Sequence, residues 1–327
     1  MPRVATKLSR KDHWGTVGTR TGFIRQDYKI TPGLYCTGTP DENSPVLVTA
    51  NYKLSFDSVR QELRGQNIWL LVVDTRGINV WCAAGKGTFS AEEVAYQVDQ
   101  ANLADVVIHR KIVLPQLSAN GVNARAVKKK CGFSARFGPI RSTDIPKFLT
   151  KQDVSEEMRS VTFTMRERAV LIPVEICMLW KQLLIALGVI VVLSSLSPPF
   201  FSLETIFHRS FWLLGVTLWA IFVGTTAVPL LLPWIPTRQF WLKGLLLGSL
   251  GAFLFMGTLV PETFNLLEKG AMVLWTISVS SFLSMNFTGS TPYTSLSGVA
   301  KEMRAGLAVQ IGAAILAFVL WFIGVFI

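Results

Sequence analysis

"NIWLLVVDTRGINVWCAAGKGTF", residues 67–89, decides how the first half of this chain is read. Its opening run, "NIWLLVVD" (67–74), is apolar without alternation, the pattern of a strand buried on both faces. "TRGIN" (75–79) reads as a turn, and behind it Cys82 stands between Trp81 and a run of residues with almost no side chain: Ala83, Ala84, Gly85, then Lys86, Gly87 and Thr88.

Working outward, "VLVTANY" (46–52) reads as a strand and "SFDSVRQEL" (55–63) as a helix begun by Ser55. On the other side, "SAEEVAYQVDQAN" (90–102) reads as a helix with Ser90 as N-cap and Glu93 completing a capping box. "KIVLPQL" (111–117) is another strand, "NARAVKKKCG" (123–132) a helix closed by Gly132, and "FSARFGPI" (133–140) a last strand. Strands alternating with helices predict an α/β, Rossmann-like domain with a parallel sheet and helices on both faces. Such sheets bind ligands at the carboxyl ends of their strands. The Cys82 stretch follows one such end, and Thr49, Asn51, Gln116, Ser118, Gly138 and Pro139 mark others. Residues 1–45, rich in Gly, Thr and Pro, predict an irregular arm wrapping this domain.

The 327 residues are 50% hydrophobic and carry a net charge of +11, a combination that points to a membrane component. From about residue 180 onward five apolar stretches approach or exceed the roughly 20 residues that span a bilayer core: about 181–200, 211–235, 239–260, 271–290 and 306–327. Residues 1–165 then form a soluble domain, 166–180 a linker or interfacial amphipathic helix, and 181–327 an all-α transmembrane domain. "MPRVATKLSRKDHWG" (1–15) lacks the apolar core of a signal peptide, and 25 of the 32 Lys and Arg precede residue 171. Both place the first domain in the cytoplasm, at the inner membrane. Arg238, Lys243, Lys301 and Arg304 then fall in inner loops and only Arg209 and Lys269 in outer ones, which leaves Ile327 outside. Glu262 and Glu268 fall in a loop, Lys181 and Lys243 lie near span ends, and no charge pair stands out within the spans.

Four cysteines, Cys36, Cys82, Cys131 and Cys177, form no CxxC pair, which argues against a structural zinc site or a disulfide framework. Any thiol chemistry must use one alone. A phosphate loop fails at Cys82, because Val80 stands where the motif needs Gly and Gly87 where it needs Ser or Thr. A cysteine nucleophile would need a base, and of the three histidines, His13, His109 and His208, none is excluded by its spacing in sequence, so this reading stays open as a minor one. A buried structural cysteine suits Cys36, Cys131 and Cys177. At Cys82 the small neighbours suit instead a soft metal ligand at a helix start, with room for a broad planar cofactor against Ala83, Ala84, Gly85 and Gly87.

These residues carry a resemblance. "NVWCAAGKGTF", with "VVDTRGI" before it and "VLPQLSANGV" and "FGPI" after, resembles the corrinoid domain of the mercury-methylating corrinoid protein family, HgcA. It is similar, more distantly, to the large subunit of the corrinoid iron–sulfur protein of acetyl-CoA synthesis. The resemblance spans the whole chain, since a corrinoid domain followed by about five spans is that family's architecture.

It implies a corrinoid methyltransferase that passes a cobalt-bound methyl group to inorganic Hg(II), with a cobalamin or related corrinoid held base-off and methylcobalamin as the form in turnover. Cys82 would be the lower axial ligand of cobalt on a short cap helix. Asn79, Val80, Trp81 and Thr88 would shape that cap, with Asn79 bonding the turn, Trp81 packing beneath, and Lys86 reaching a corrin amide or the nucleotide phosphate. "DHWG" (12–15) does not match the Asp-x-His-x-x-Gly motif of histidine-ligated cobalamin proteins, in keeping with a cysteine ligand. The implied partners are an HgcB-like ferredoxin with two 4Fe–4S clusters, an upstream methyl-donor protein and membrane lipid, with no nucleic acid. Two other functions compete: a corrinoid methyl carrier of one-carbon metabolism with another acceptor, and a transporter whose soluble domain is regulatory.

Overall fold

The computed structural model describes residues 1–151, 153–291 and 296–327, in two units, Met1–Thr162 and Phe163–Ile327. In the first, α1 (Arg10–Arg20) and β1 (Gly33–Thr37) precede β2 (Val46–Ala50), α2 (Lys53–Glu62), β3 (Ile68–Val73), α3 (Val80–Gly85), α4 (Ala91–Gln100) and α5 (Leu103–Val106). Then come β4 (Lys111–Leu114), a 3-10 turn at Gln116–Ser118, α6 (Ala124–Cys131), β5 (Ser134–Phe137), α7 (Ile145–Lys151) and α8 (Glu156–Arg159).

The five strands form one sheet in the order β1-β3-β2-β4-β5. β2, β3, β4 and β5 run parallel as expected, but β1 pairs antiparallel with β3, Gly33 opposite Val72 and Thr37 opposite Ile68, so the sheet is mixed. The irregular arm expected over residues 1–45 is therefore wrong in two places, α1 and β1. β1 lies on a sheet edge, where five residues suffice, and its pairing comes from β3 rather than from any periodicity of its own. α1 is fastened by Ser9, whose side chain caps Asp12 N while Asp12 Oδ2 accepts from Ser9 N at 2.8 Å.

Alternation sorts the strand residues between two cores. Val46, Val48, Ala50, Leu71, Val73, Ile112 and Leu114 face α3, α4 and α6. Leu47, Ile68, Leu70, Val72 and Val113 face α2 and α7. The chain steps from β2 to β3 on one side and then to β4 on the other, so the switch point lies at the carboxyl ends of β2 and β4.

Several ends differ from expectation. α2 starts at Lys53 rather than Ser55, its N-cap Tyr52 being held extended without a side-chain bond. β4 stops at Leu114 because Pro115 has no N–H for the ladder. Ser90 does cap Glu93 N, at 3.2 Å, but the Glu93 carboxylate accepts from Gln97 at 3.3 Å, so half of the expected box forms. Gly132 (φ +78) closes α6 as read, and Asn123 caps its start.

The second unit is helical: α9 (Met165–Ala169), α10 (Ile172–Cys177), α11 (Trp180–Ser195), α12 (Leu203–Phe222), α13 (Val228–Leu231), α14 (Phe240–Thr258), α15 (Leu266–Asn286) and α16 (Leu296–Gly324). Among the described residues four helices are long and apolar enough to cross a membrane, one of them continuing over Leu203–Leu231. The span expected at 181–200 reaches that length only as a bent pair, Met165–Cys177 with Trp180–Ser195, at 52°. A π-helical turn at Val223–Ala227 joins α12 to α13 just before Pro229, whose ring and missing N–H break the i to i−4 ladder.

Arg238 and Glu262 lie between helices as expected, but the other charges expected in loops are helical. Arg209 lies in α12 and Glu268 in the first turn of α15, where the buried carboxylate and the partly buried guanidinium are bonded at 2.5 Å, so a charge pair does exist. Lys243 lies in α14 and does not snorkel; its Nζ donates to the carbonyls of Leu232 (2.9 Å) and Ile235 (2.5 Å). Close helix contact rests on small residues: a Cβ on Gly244 would meet Ser280 O at 2.7 Å, and Ser280 Oγ donates to Gly244 O at 3.0 Å.

Candidate functional site

The site grows from one buried amide at the end of β2. Asn51 Oδ1 accepts from the N–H groups of Thr75 (3.1 Å) and Gly77 (2.9 Å), and its Nδ2 donates to Asp74 Oδ1 at 2.8 Å. Asp74 Oδ1 also accepts from Arg76 N at 2.8 Å, and the Thr75 hydroxyl donates to Ile78 O at 2.6 Å. Arg76 (φ +58) and Gly77 (φ +73) are both left-handed, so the loop between β3 and α3 is a tight turn wound around Asn51. From outside, Gln26 O and Lys29 lie 3.3–3.4 Å from where a Gly77 Cβ would sit.

That loop launches α3. Asn79 is its N-cap, Oδ1 accepting from Cys82 N at 2.9 Å, so a side chain three positions earlier fixes the thiol's own backbone. Six residues give the helix one buried and one outward face. Val80, Ala83 and Ala84 are buried in the core, and Phe89 closes behind them. Trp81 and Cys82 are half-buried, while Gly85, Lys86 and Gly87 are exposed. Gly85 and Lys86 lie three and four residues after Cys82, on its side of the helix. A Cβ on Gly85 or Gly87 would meet nothing within 4 Å.

The small residues read as one thin surface thus divide: Ala83 and Ala84 let α3 sink into the core, and Gly85 and Gly87 leave the outer face bare. Trp81 shares the outward side and is absent from the core cluster beneath the helix, so it does not pack under the cap as expected. Thr88 N donates to Ala83 O at 2.9 Å, and Gly87 (φ +75) makes the turn.

The strand-end residues are spread over both faces of the sheet. Ser118 is fully buried in the 3-10 turn beside α3, donating to Pro115 O at 2.8 Å. Thr49 is 1% exposed and shares the side of Leu47, away from α3. Gly138 N donates to Leu114 O at 2.8 Å, its missing Cβ would meet Val113 at 2.9 Å, and Pro139 beside it is buried. Gln116 lines a polar cavity of about 300 Å3 with Arg136, Phe148, Asp153 and Arg159.

Sequence reasoning missed Asp74, Thr75 and Gly121. A Cβ on Gly121 would meet Ala84 O at 2.4 Å, so this glycine allows the loop after β4 to lie directly on α3. It also missed the contribution of the arm. Burial raises the Tyr52 hydroxyl; the charges of Arg25 and Arg20 oppose this, while Cys82 adds to it. One phenol therefore lies within electrostatic reach of two arm arginines and of the cysteine.

With this geometry in place, residues 24–149 match a family described as CdhD, CO dehydrogenase/acetyl-CoA synthase delta subunit. The match stays within the first unit, which is similar to that family. Among individual relatives, the acetyl-CoA decarbonylase/synthase complex subunit gamma of Methanopyrus kandleri is 37% identical over 130 residues, 39% of this chain and 28% of that protein. The subunit of the same name from Methanocaldococcus jannaschii is 35% identical over 127 residues, 38% of this chain and 26% of that protein. Subunit gamma 2 of Methanosarcina thermophila is 36% identical over 131 residues, 39% and 28% respectively. The aligned part is thus little more than a quarter of each relative's length.

Proposed function

We propose that the first unit holds a base-off corrinoid through Cys82 Sγ, and that the chain is a membrane-anchored methyltransferase whose acceptor is inorganic Hg(II). The observation that carries this reading is the outward face of α3, where a half-buried free thiol stands beside bare Gly85 in a unit similar to acetyl-CoA decarbonylase/synthase subunits. The residues fit such a group: a soft sulfur donor suits a soft metal, and a face without Cβ atoms gives a flat macrocycle clearance. When bound, the corrinoid supplies a methyl group carried on cobalt.

The protein's own contribution is position and charge. Asn79, through Cys82 N, fixes where the sulfur stands, and Asn51 fixes the loop from which Asn79 rises. A sulfur donor from Cys82 would be more electron-rich toward a soft metal than a neutral imidazole, and the group it would hold would supply methyl transfer to an electrophile such as Hg(II). Lys86 is free to meet an amide or phosphate on the side of Cys82. The second unit serves as an anchor in the cytoplasmic membrane. The reading includes two partner proteins, an HgcB-like ferredoxin and an upstream methyl donor.

A second reading, a methyl carrier of one-carbon metabolism with another acceptor, draws support from the three relatives named above, each an acetyl-CoA decarbonylase/synthase subunit. The "NVWCAAGKGTF" string and the apolar second unit favour mercury. Titrating purified full-length protein with cobalamin tests the shared part: wild type shifts the absorption spectrum to that of a sulfur-ligated base-off corrinoid, and Cys82→Ala abolishes the shift. An unchanged spectrum in Cys82→Ala removes the axial-ligand assignment. Incubating methyl-loaded protein with Hg(II) separates the readings, because methylmercury forms only under the first.

A further inference from the structure

The first unit carries an apolar surface that neither its cores nor the methyl-transfer reading uses. Trp14, Val17, Phe23 and Ile24 are 74%, 51%, 82% and 38% exposed, and none belongs to a core of that unit. The unit's other exposed large hydrophobics among the described residues, Met1, Tyr96, Ile108 and Val161, stand apart from one another in the chain, whereas these four fall on α1 and the turn after it.

α1 has two faces. Gly15 and Thr19 are buried; Gly15 admits the Tyr28 ring, and the Thr19 hydroxyl donates to Gly15 O at 2.7 Å. Val17 and Gly18, three and four residues after Trp14, share its outward side. A Cβ on Gly18 would meet Ile24 at 3.1 Å, so the chain folds back onto this side and adds Ile24, next to Phe23, to the stripe. Arg10 and Lys11, four and three residues before Trp14, continue it at the amino end, and both are exposed.

The charge of this stretch has one sign. Residues 1–26 contain Arg3, Lys7, Arg10, Lys11, Arg20 and Arg25 against a single carboxylate, Asp12. That carboxylate is spent on Lys53 at 2.5 Å and Arg60 at 2.9 Å. What α1 offers outward is therefore a tryptophan and aliphatic side chains among cations, the composition of a segment that lies in the headgroup region of an anionic leaflet. The chain also brings such a surface within reach: the unit ends at Thr162, where a unit with helices long and apolar enough to cross a membrane begins. A tethered bilayer is present at high effective concentration, so a contact too weak to hold a free partner protein is enough.

We propose that α1 and the turn after it dock on the anionic leaflet of the bilayer that holds the second unit, with Trp14 and Phe23 among the headgroups and the arm's cations over lipid phosphates. This rests on the reading of the second unit as a membrane anchor and is independent of the cobalt chemistry.

The test uses the full chain in nanodiscs of phosphatidylcholine alone and of phosphatidylcholine with about a third phosphatidylglycerol as the anionic lipid. Each disc holds a trace of phosphatidylcholine bearing a diazirine on its acyl chain next to the headgroup, and adducts are mapped by mass spectrometry after photolysis. Residues 10–25 should label about tenfold more in the anionic discs, the size expected when one or two cations meet a charged surface, and salt should erase the gain. Arg10→Gln with Lys11→Gln, and separately Trp14→Ser with Phe23→Ser, should bring labelling down to the level of the neutral discs. Equal labelling of the wild type in the two discs overturns the proposal, and so does a gain that survives both double variants. Slowed hydrogen exchange in the arm on adding a two-cluster ferredoxin to neutral discs, with no response to phosphatidylglycerol, overturns it in favour of a protein partner. The long apolar helices are read in the same sample: their adducts beside an unlabelled arm overturn the docking alone, and their absence overturns the anchoring on which it rests. If a double variant does not fold, the comparison of the two discs on the wild type decides.

Discussion

Asn51 shows how much of the site depends on one side chain that touches none of the small residues around the cysteine. It is 2% exposed and spends its amide on the turn that aims α3, so its loss leaves buried N–H groups at Thr75 and Gly77 without an acceptor. At about 1 kcal/mol for each bond lost and more for a donor left unsatisfied, Asn51→Ala should cost the first unit about 3 kcal/mol. Urea unfolding should show that loss, and hydrogen exchange should accelerate across 74–86 before it does elsewhere. Equal protection of those amides in mutant and wild type would remove Asn51 from its central place. Sequence alone could not assign this role, because the partners of Asn51 lie 23 to 26 residues further along the chain. Cys82 was legible for the opposite reason: everything that distinguishes it, from Asn79 to Gly87, lies within one turn or two.

At the scale of elements, short-range signals were read well and long-range ones were not. Ser90, Asn123 and Gly132 mark helix ends through bonds to residues at most four positions away. β1 was hidden because its register is dictated by β3, and Glu268 was placed in a loop because its ion-pair partner Arg209 is 59 residues earlier. α1 is the plainest case, since its attachment to α2 runs through charges 41 to 48 residues apart. Asp12 bonds Lys53 at 2.5 Å and Arg60 at 2.9 Å, and Asp57 bonds the same two cations at 2.7 Å each. Burial raises the Asp12 carboxyl, but the bonds from Lys53, from the Ser9 N–H and hydroxyl and from Arg60 outweigh it and hold the carboxyl well below the usual carboxylate range.

A depressed carboxyl pKa adds stability that is fully present above the unfolded value of about 4 and is lost as pH falls through the folded value. Asp12→Asn should therefore destabilise the chain by about 1.5–3 kcal/mol at pH 7, with the gap between mutant and wild type closing only below about pH 4. Denaturation curves at a series of pH values check this, and a gap that stays constant down to pH 2 would show that the carboxylate charge is not what holds α1.

The whole molecule is two hydrophobic cores systems in one chain. The cores of the first unit draw on residues from Val4 to Val154, and those of the second on residues from Phe163 to Trp321. No residue belongs to both sets, and the family match at 24–149 ends before the division at Thr162. Each unit therefore buries its own apolar surface, which is what independent folding requires. A fragment comprising residues 1–162 should stay soluble without detergent, unfold in one cooperative urea transition, and keep the slow exchange around Asn51. It should also bind cobalamin with the spectrum of the full chain, because α3 packs through Val80, Ala83 and Ala84 on that unit's core and Asn79 caps the Cys82 backbone within it. Aggregation of the fragment, or a non-cooperative transition, would show that the helical unit completes the fold of the first. A fragment that folds and binds cobalamin but transfers no methyl group, beside a full chain that does, would assign the helices a part in the reaction beyond anchoring.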